Sequence, residues 1–266
     1  RLAGRADLSD RRPTAVRGLA FLSRLGDAAR GLVYLAVGFL ALRAAIAAHG
    51  GVAGPDGALR WVLREPHGAL LVGLIAGGLF ADALFRMIEA TRRRSLAGRF
   101  SSAFRGAAAA AFGWTALSIE RNARRSTGGP VLRRAAAWLL EHPWGARALL
   151  AAGAIAGIVA LLEIGQGLTG RLRYRLRKNA LGPGARRWAQ AVSRIGLAAH
   201  GALVGAVAVW IVLAGLEANP RDVVDSGGAL RRLERLPFGP GLLVALAAGL
   251  MAYGASQWIL AIYRRD

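Results

Sequence analysis

Pro66-His-Gly-Ala-Leu-Leu-Val-Gly-Leu-Ile-Ala-Gly-Gly-Leu-Phe-Ala81 contains no Asp, Glu, Lys or Arg, and is followed by Asp82, Arg86, Glu89 and the triplet Arg92-Arg93-Arg94. An apolar run of this length that ends in clustered arginines has the form of a membrane span anchored at one face by cationic side chains. The same device returns at Pro143-Trp-Gly145 and Pro237-Phe-Gly239, each opening its own apolar run. Three further runs, at about 26–48, 102–120 and 195–216, alternate with these, so the pattern predicts six spans. Short amphipathic pieces precede the Pro-x-Gly turns, at 58–64, 133–141 and 229–236. They are too short to cross a bilayer and suit its interface. The expected fold class is therefore all-α: a polytopic membrane helical bundle with short interfacial helices in the outer loops.

Composition supports this class. Of 266 residues 55% are hydrophobic, yet the formal net charge is +21, and mean hydropathy is +0.38. In a soluble chain such a charge would suggest nucleic-acid binding. Here the arginines sit between apolar runs, where they would face anionic lipid headgroups, so no nucleic-acid partner is expected. The chain has no cysteine, which removes disulfides, thiolate catalysis and Cys-based metal sites. The first apolar run lacks a small-residue cleavage site and is expected to remain as a span.

The runs repeat as units. Gly57-Ala-Leu-Arg60 recurs as Gly228-Ala-Leu-Arg231, Trp61 falls on Trp138, and the odd-numbered spans open on Arg30-Gly31, Arg105-Gly106 and His200-Gly201. The expected organisation is a basic arm (1–24) followed by repeats at 25–95, 96–175 and 176–266. With two spans per repeat, all three enter from the same side, as parallel repeats with a pseudo-threefold arrangement. The arm, the connectors and the C-terminus hold roughly twice the Lys and Arg of the Pro-x-Gly loops, which predicts a cell-membrane protein with both termini cytoplasmic. Tandem two-helix units with an Arg/His-Gly start, a Gly-Ala-Leu-Arg-like loop and Pro-x-Gly resemble an uncharacterised bacterial membrane family, a domain of unknown function occurring three times per chain. The resemblance covers roughly residues 20–265, and the middle unit departs from it by lacking Gly-Ala-Leu-Arg. It implies topology and no activity.

Ionisable residues within a span are costly and raise a functional question. A helix entering at Pro66 climbs roughly 30 Å by Arg86 and about 24 Å by Asp82, near the far edge of the hydrocarbon slab. Arg86, Glu163 and Gln257 hold the same register in the three units. The expectation is one polar layer near the cytoplasmic face, made of Arg30, Asp82, Arg86, Arg105, Glu163, His200 and Gln257. Snorkelling arginines with solvated carboxylates, or a simple Asp82–Arg86 pair along one helix, are the plainer readings. His200 is expected to make a helix-start polar contact, with a proton relay as its alternative. Gly73/Gly77, Gly153/Gly157 and Gly201/Gly205 are spaced for close helix approach. Trp61, Trp138, Trp144, Trp258 and Tyr263 suit interfacial belts.

No nucleophile–base set, metal-ligand spacing or phosphate loop is present, so no catalytic, cofactor-binding or metal residue is expected. The functional expectation is a non-enzymatic interaction or scaffold protein whose basic rim meets anionic lipid, a protein partner or a second copy. A small transporter or channel along the pseudo-threefold axis is the alternative. A polar lining from face to face would favour transport, and an apolar centre would favour interaction.

Overall fold

The computed structural model describes residues 14–47, 55–92, 95–121, 131–170, 182–224, 226–234 and 236–263. These residues form α1 (Thr14–Ala47), α2 (Pro55–Arg64), α3 (Gly68–Arg92), α4 (Leu96–Arg121), α5 (Val131–Leu140), α6 (Gly145–Thr169), α7 (Pro183–Leu216), α8 (Ser226–Glu234) and α9 (Gly239–Tyr263). A 3-10 turn at Pro220–Asp222 joins α7 to α8. Five helices are long and apolar enough to cross a membrane: α1 from Ser23 to Ile46, α3, α6, α7 from Gly184, and α9. The sixth long helix, α4, spans 26 residues but owes much of its apolar character to Ala107–Ala111, and alanine is only weakly hydrophobic.

Three boundaries differ from the sequence reading. α1 begins at Thr14, inside the expected basic arm, directly after Pro13. α7 begins at Pro183, well before the expected span, because proline is tolerated in a helix's first turn and no breaker follows it. α2 likewise begins at Pro55, ahead of the amphipathic piece expected from residue 58. The stretches 1–13 and 171–181 lie outside the described residues, and with them most of the basic arm and connector.

The long helices pack side by side in the order α4–α3–α1–α9–α7–α6, each antiparallel to its neighbour. Two contacts per pair fix the opposed directions: Gly26 at Asp82 and Gly78 at Ala29, Gly106 at Met87 and Gly113 at Phe80, Gly31 at Trp258 and Gly38 at Met251, Gly196 at Tyr253 and Gly249 at Ala199, Gly153 at Val212 and Gly167 at Ala198. α1, α4 and α7 therefore run one way, and α3, α6 and α9 the other. α2, α5 and α8 sit together at the end away from the start of α1. α4 and α6 close the row toward each other without packing along their length.

The Pro-x-Gly turns have one geometry. The glycine N–H donates to the carbonyl three residues earlier in each: Gly68 to Glu65 at 2.8 Å, Gly145 to His142 at 2.9 Å, Gly239 to Leu236 at 2.8 Å. All three glycines are buried, because the last turn of the preceding short helix lies against them. A Cβ at Gly145 would overlap the Leu139 carbonyl, and at Gly68 the Val62 carbonyl. The short helices α2 and α8 are more enclosed than an interfacial position requires, whereas α5 keeps Trp138 56% exposed. Leu59 and Leu230, the leucines of the two Gly-Ala-Leu-Arg stretches, are fully buried, and Ala136 holds the same register in α5.

Small residues stand where the helix backbones come closest and many large apolar ones lie outside, although Leu203, Leu243 and Leu250 are also fully buried. Gly26 lies against Asp82, Gly196 against Tyr253 and Gly254 against Leu35, whereas Leu70, Ile158 and Leu161 are exposed at 65%, 58% and 70%. That arrangement lets helices approach closely and leaves large apolar side chains facing outward. Of the spaced glycine pairs, Gly201 is a tight contact with Ala160 and Ile164, but Gly77 faces open space, so Gly73/Gly77 is not a packing pair throughout. Arg194 of α7 donates to the Gly167 and Leu168 carbonyls at 3.0 and 2.7 Å, satisfying the C-terminal turn of α6. Gly145→Ala is expected to destabilise the protein by about 1–3 kcal/mol through overpacking. Gly77→Ala, on an open face, should be neutral or stabilise by up to about 1 kcal/mol. Thermal unfolding in detergent distinguishes the two.

Candidate functional site

A carboxylate enclosed by apolar helices is stable only where cations and hydrogen-bond donors answer it. Three such groups exist among the described residues, one of them Asp27 of α1, 4% exposed and three residues before Arg30. Asp82 of α3 is 1% exposed and Glu163 of α6 is 7% exposed. Asp82 is ion-paired to Arg30 of α1 and accepts from Arg86 Nε at 2.8 Å, one turn along its own helix. Glycine at position 26 brings the α1 backbone close enough for the first contact. Arg86 thus makes the expected same-helix pair, but the carboxylate is not solvated, so the snorkelling reading does not hold for this group.

Glu163 accepts from His200 Nδ1 of α7 at 2.6 Å, and its other oxygen stands 3.8 Å from Arg105 Nη2 of α4. The second ring nitrogen of His200 lies 2.9 Å from the Tyr34 hydroxyl of α1. His200 stacks on Tyr253 of α9, with centroids 4.1 Å apart and planes 12° from parallel, and Tyr34 meets both rings edge-on. With Nδ1–H donating to the carboxylate, Nε2 accepts from the tyrosine hydroxyl, giving a hydrogen-bonded chain Tyr34–His200–Glu163. Its members come from α1, α7 and α6.

These side chains form one end of a central cavity of about 420 Å³, within the range of small-molecule pockets, roughly 300–1,000 Å³. Arg30, Tyr34, Arg86, Arg105, Glu163, Gln166, His200 and Tyr253 line that end. Toward α5 the walls become apolar, with Ala109, Phe112, Val159, Val204, Val207 and Ile211. The Thr115 hydroxyl donates back to the Ala111 carbonyl at 2.9 Å and presents no free donor there.

Of the residues expected to share a layer, the structure brings six together: Arg30, Asp82 and Arg86 around one carboxylate, Arg105, Glu163 and His200 around the other. Gln257 is buried on α9 at 4% exposure but is not part of the cavity wall. Sequence reasoning misses Tyr34 and Tyr253. The available signal is Tyr34 one helical turn beyond Arg30, a polar tip among apolar residues. Trp138, His142 and Trp144 cluster at the α5–α6 turn, as a belt would require, but Trp61 is half-buried against Phe39. Among the described residues no three His, Asp or Glu side chains converge to hold a metal ion.

Removing one partner of a buried ion pair leaves an uncompensated charge, which costs about 3–5 kcal/mol. Asp82→Ala is expected to destabilise by that amount in detergent unfolding. Arg30→Ala combined with Asp82→Ala should be less harmful than the sum of the two single changes, measured as a double-mutant cycle.

Comparison with known proteins gives a family without an assigned activity. Over 249 residues the chain is 26% identical to "Uncharacterized protein YxxB" of Bacillus subtilis (strain 168), covering 91% of this chain and 90% of that protein. No solved structure matches. The family model described as "Domain of Unknown Function (DUF1206)" matches twice, at residues 25–93 and 195–264. Those two segments hold the later two-thirds of α1 and of α7, with α2, α3, α8 and α9, and the stretch between them, which lacks Gly-Ala-Leu-Arg, is not matched. Matching over more than half of its length, the chain belongs to the DUF1206 family.

Proposed function

We propose that this chain is a six-span membrane protein in which three alike helix pairs enter lipid from the cytoplasmic side and surround a chamber. It acts by interaction with anionic lipid, and neither catalyses a reaction nor conducts ions. Support for the sixth span comes from α4: its 26 residues extend about 39 Å, and it packs antiparallel along α3. Outward-facing Phe100 and Trp114, 73% and 57% exposed, give it an apolar outer face. Support for three alike units comes from the common turn hydrogen bond and from the register of Arg30, Arg105 and His200, all three of which line the cavity. Cyclic packing of α3 on α4, α6 on α7, and α9 on α1 is what a pseudo-threefold ring requires.

The observation that carries the functional reading is the confinement of charge to one level. Ions crossing the chamber would need polar partners along the whole path. Here the ion-paired layer lies at one end, and the lining beyond is mostly alanine, valine, leucine, phenylalanine and isoleucine, with the Thr115 and Ser226 hydroxyls but no charge. The transporter reading draws support from the chamber's volume and from ionisable residues within spans, and it predicts flux.

Because the chain has no native cysteine, single introduced thiols report topology directly. Glu65→Cys, Glu141→Cys and Ala218→Cys should react with an impermeant maleimide on intact cells, and Ser95→Cys only after permeabilisation. Reactivity of Ser95→Cys on intact cells would overturn the orientation. Purified protein in liposomes should show no ion flux above protein-free vesicles, and flux abolished by Glu163→Gln would replace this reading with the transporter.

A further inference from the structure

We infer that the central cavity holds one anionic phospholipid, its phosphate against Arg105 and its acyl chains between α4 and α6. This deepens the lipid-interaction reading above and rests on it, naming the site, the ligand and the way in. Charge is the first observation. Three guanidiniums, Arg30, Arg86 and Arg105, line the cavity with one carboxylate, Glu163. Arg30 and Arg86 both turn to Asp82. Glu163 is already engaged by His200 at 2.6 Å. Arg105 approaches Glu163 only to 3.8 Å, outside hydrogen-bonding distance, and its buried Nε has no partner. A guanidinium whose side chain is 20% exposed and whose enclosed Nε–H lacks an acceptor is matched by a phosphate, which accepts its fork bidentately.

The second observation is the gradient of the lining. Beyond Arg105 the wall on α4 continues as Ala109 and Phe112, and opposite it stand Ala156 and Val159 of α6. A free phosphate ion would leave this apolar length unfilled, whereas an acyl chain is its complement. The third is access. Every other neighbouring pair of long helices packs along its length, but α4 and α6 do not. Ala108 and Ala111 both line the cavity and are exposed, so it opens sideways at this cleft. With the charged layer near the cytoplasmic interface, a lipid sliding in from the inner leaflet brings its phosphate to Arg105 at headgroup depth, with its tails toward the bilayer centre.

Native mass spectrometry of the full-length protein in mild detergent tests this, after incubation with vesicles of phosphatidylglycerol or of phosphatidylcholine with identical acyl chains. One phosphatidylglycerol should be retained at least tenfold more than phosphatidylcholine. Arg105→Gln should lower that retention by roughly tenfold, and Arg105→Lys should restore much of it. Ala108→Phe, which fills the cleft from an exposed position, should lower it without touching any charge. Should Arg105→Gln fail to give a monodisperse, cooperatively unfolding protein, retention in Ala108→Phe decides the matter by itself. Equal retention of the two lipids, or retention unchanged in Ala108→Phe, overturns the proposal. So does displacement of the lipid by millimolar inorganic phosphate with no loss in Ala108→Phe, which would mark a site for the free ion. Loss of the lipid site would leave the absence of ion flux standing, and observed flux would leave lipid retention to be judged on its own.

Discussion

Tyr34, His200 and Glu163 form a hydrogen-bonded chain that takes one residue each from α1, α7 and α6, and the relative register of those helices depends on keeping it intact. An imidazole offers two ring nitrogens on opposite edges. His200 of α7 uses one toward α6, at 2.6 Å, and the other toward α1, at 2.9 Å. Neither contact survives a rotation of α7 by one residue, since that turns the ring by about 100°. Stacking on Tyr253 adds α9 to the same point. Four helices are thereby held in one register by groups that an apolar bundle tolerates only when all are partnered.

The carboxylates of Asp82 and Glu163 meet different needs. Asp82 is surrounded by two arginines, one on its own helix and one on α1, so its ion pairing stays within the first helix pair. Glu163 occupies the register that Arg86 holds in the first pair, with the sign of the charge reversed. This acid reaches His200 on α7, and Arg105 makes the looser contact across the α4–α6 cleft. Other polar contacts between the long helices include Ser102 to Glu89 and Arg194 to the end of α6. Their approach depends on alanine and glycine, with Gly26, Gly196 and Gly254 placed where any side chain would collide with the next helix.

Much of this was legible in the sequence, for physical reasons that can be named. Apolar runs and Pro-x-Gly turns are local signals, and the turns recur because each buries a glycine under the end of a short helix. The register of Arg30, Arg105 and His200 was visible because helical spacing carries position into depth. What was not legible is lateral order. A span's sequence does not say which neighbour it packs against, so the pairing of α1 with α9, and the cleft between α4 and α6, had no counterpart in the pattern. Glycine spacing misled at Gly77 for the same reason: the motif identifies a smooth face and not what lies opposite. Gln257 shares its register with Arg86 and Glu163 but stands outside the cavity wall, showing that repeat position alone does not make a residue part of the site.

The claim on which the account turns is that His200 couples α1 to α6. A double-mutant cycle between Tyr34→Phe and Glu163→Gln, read by unfolding in detergent, measures that coupling between two helices that do not pack along each other. The account predicts an interaction free energy of about 0.5–3 kcal/mol, as for members of one hydrogen-bond network. Strict additivity of the two substitutions would contradict it.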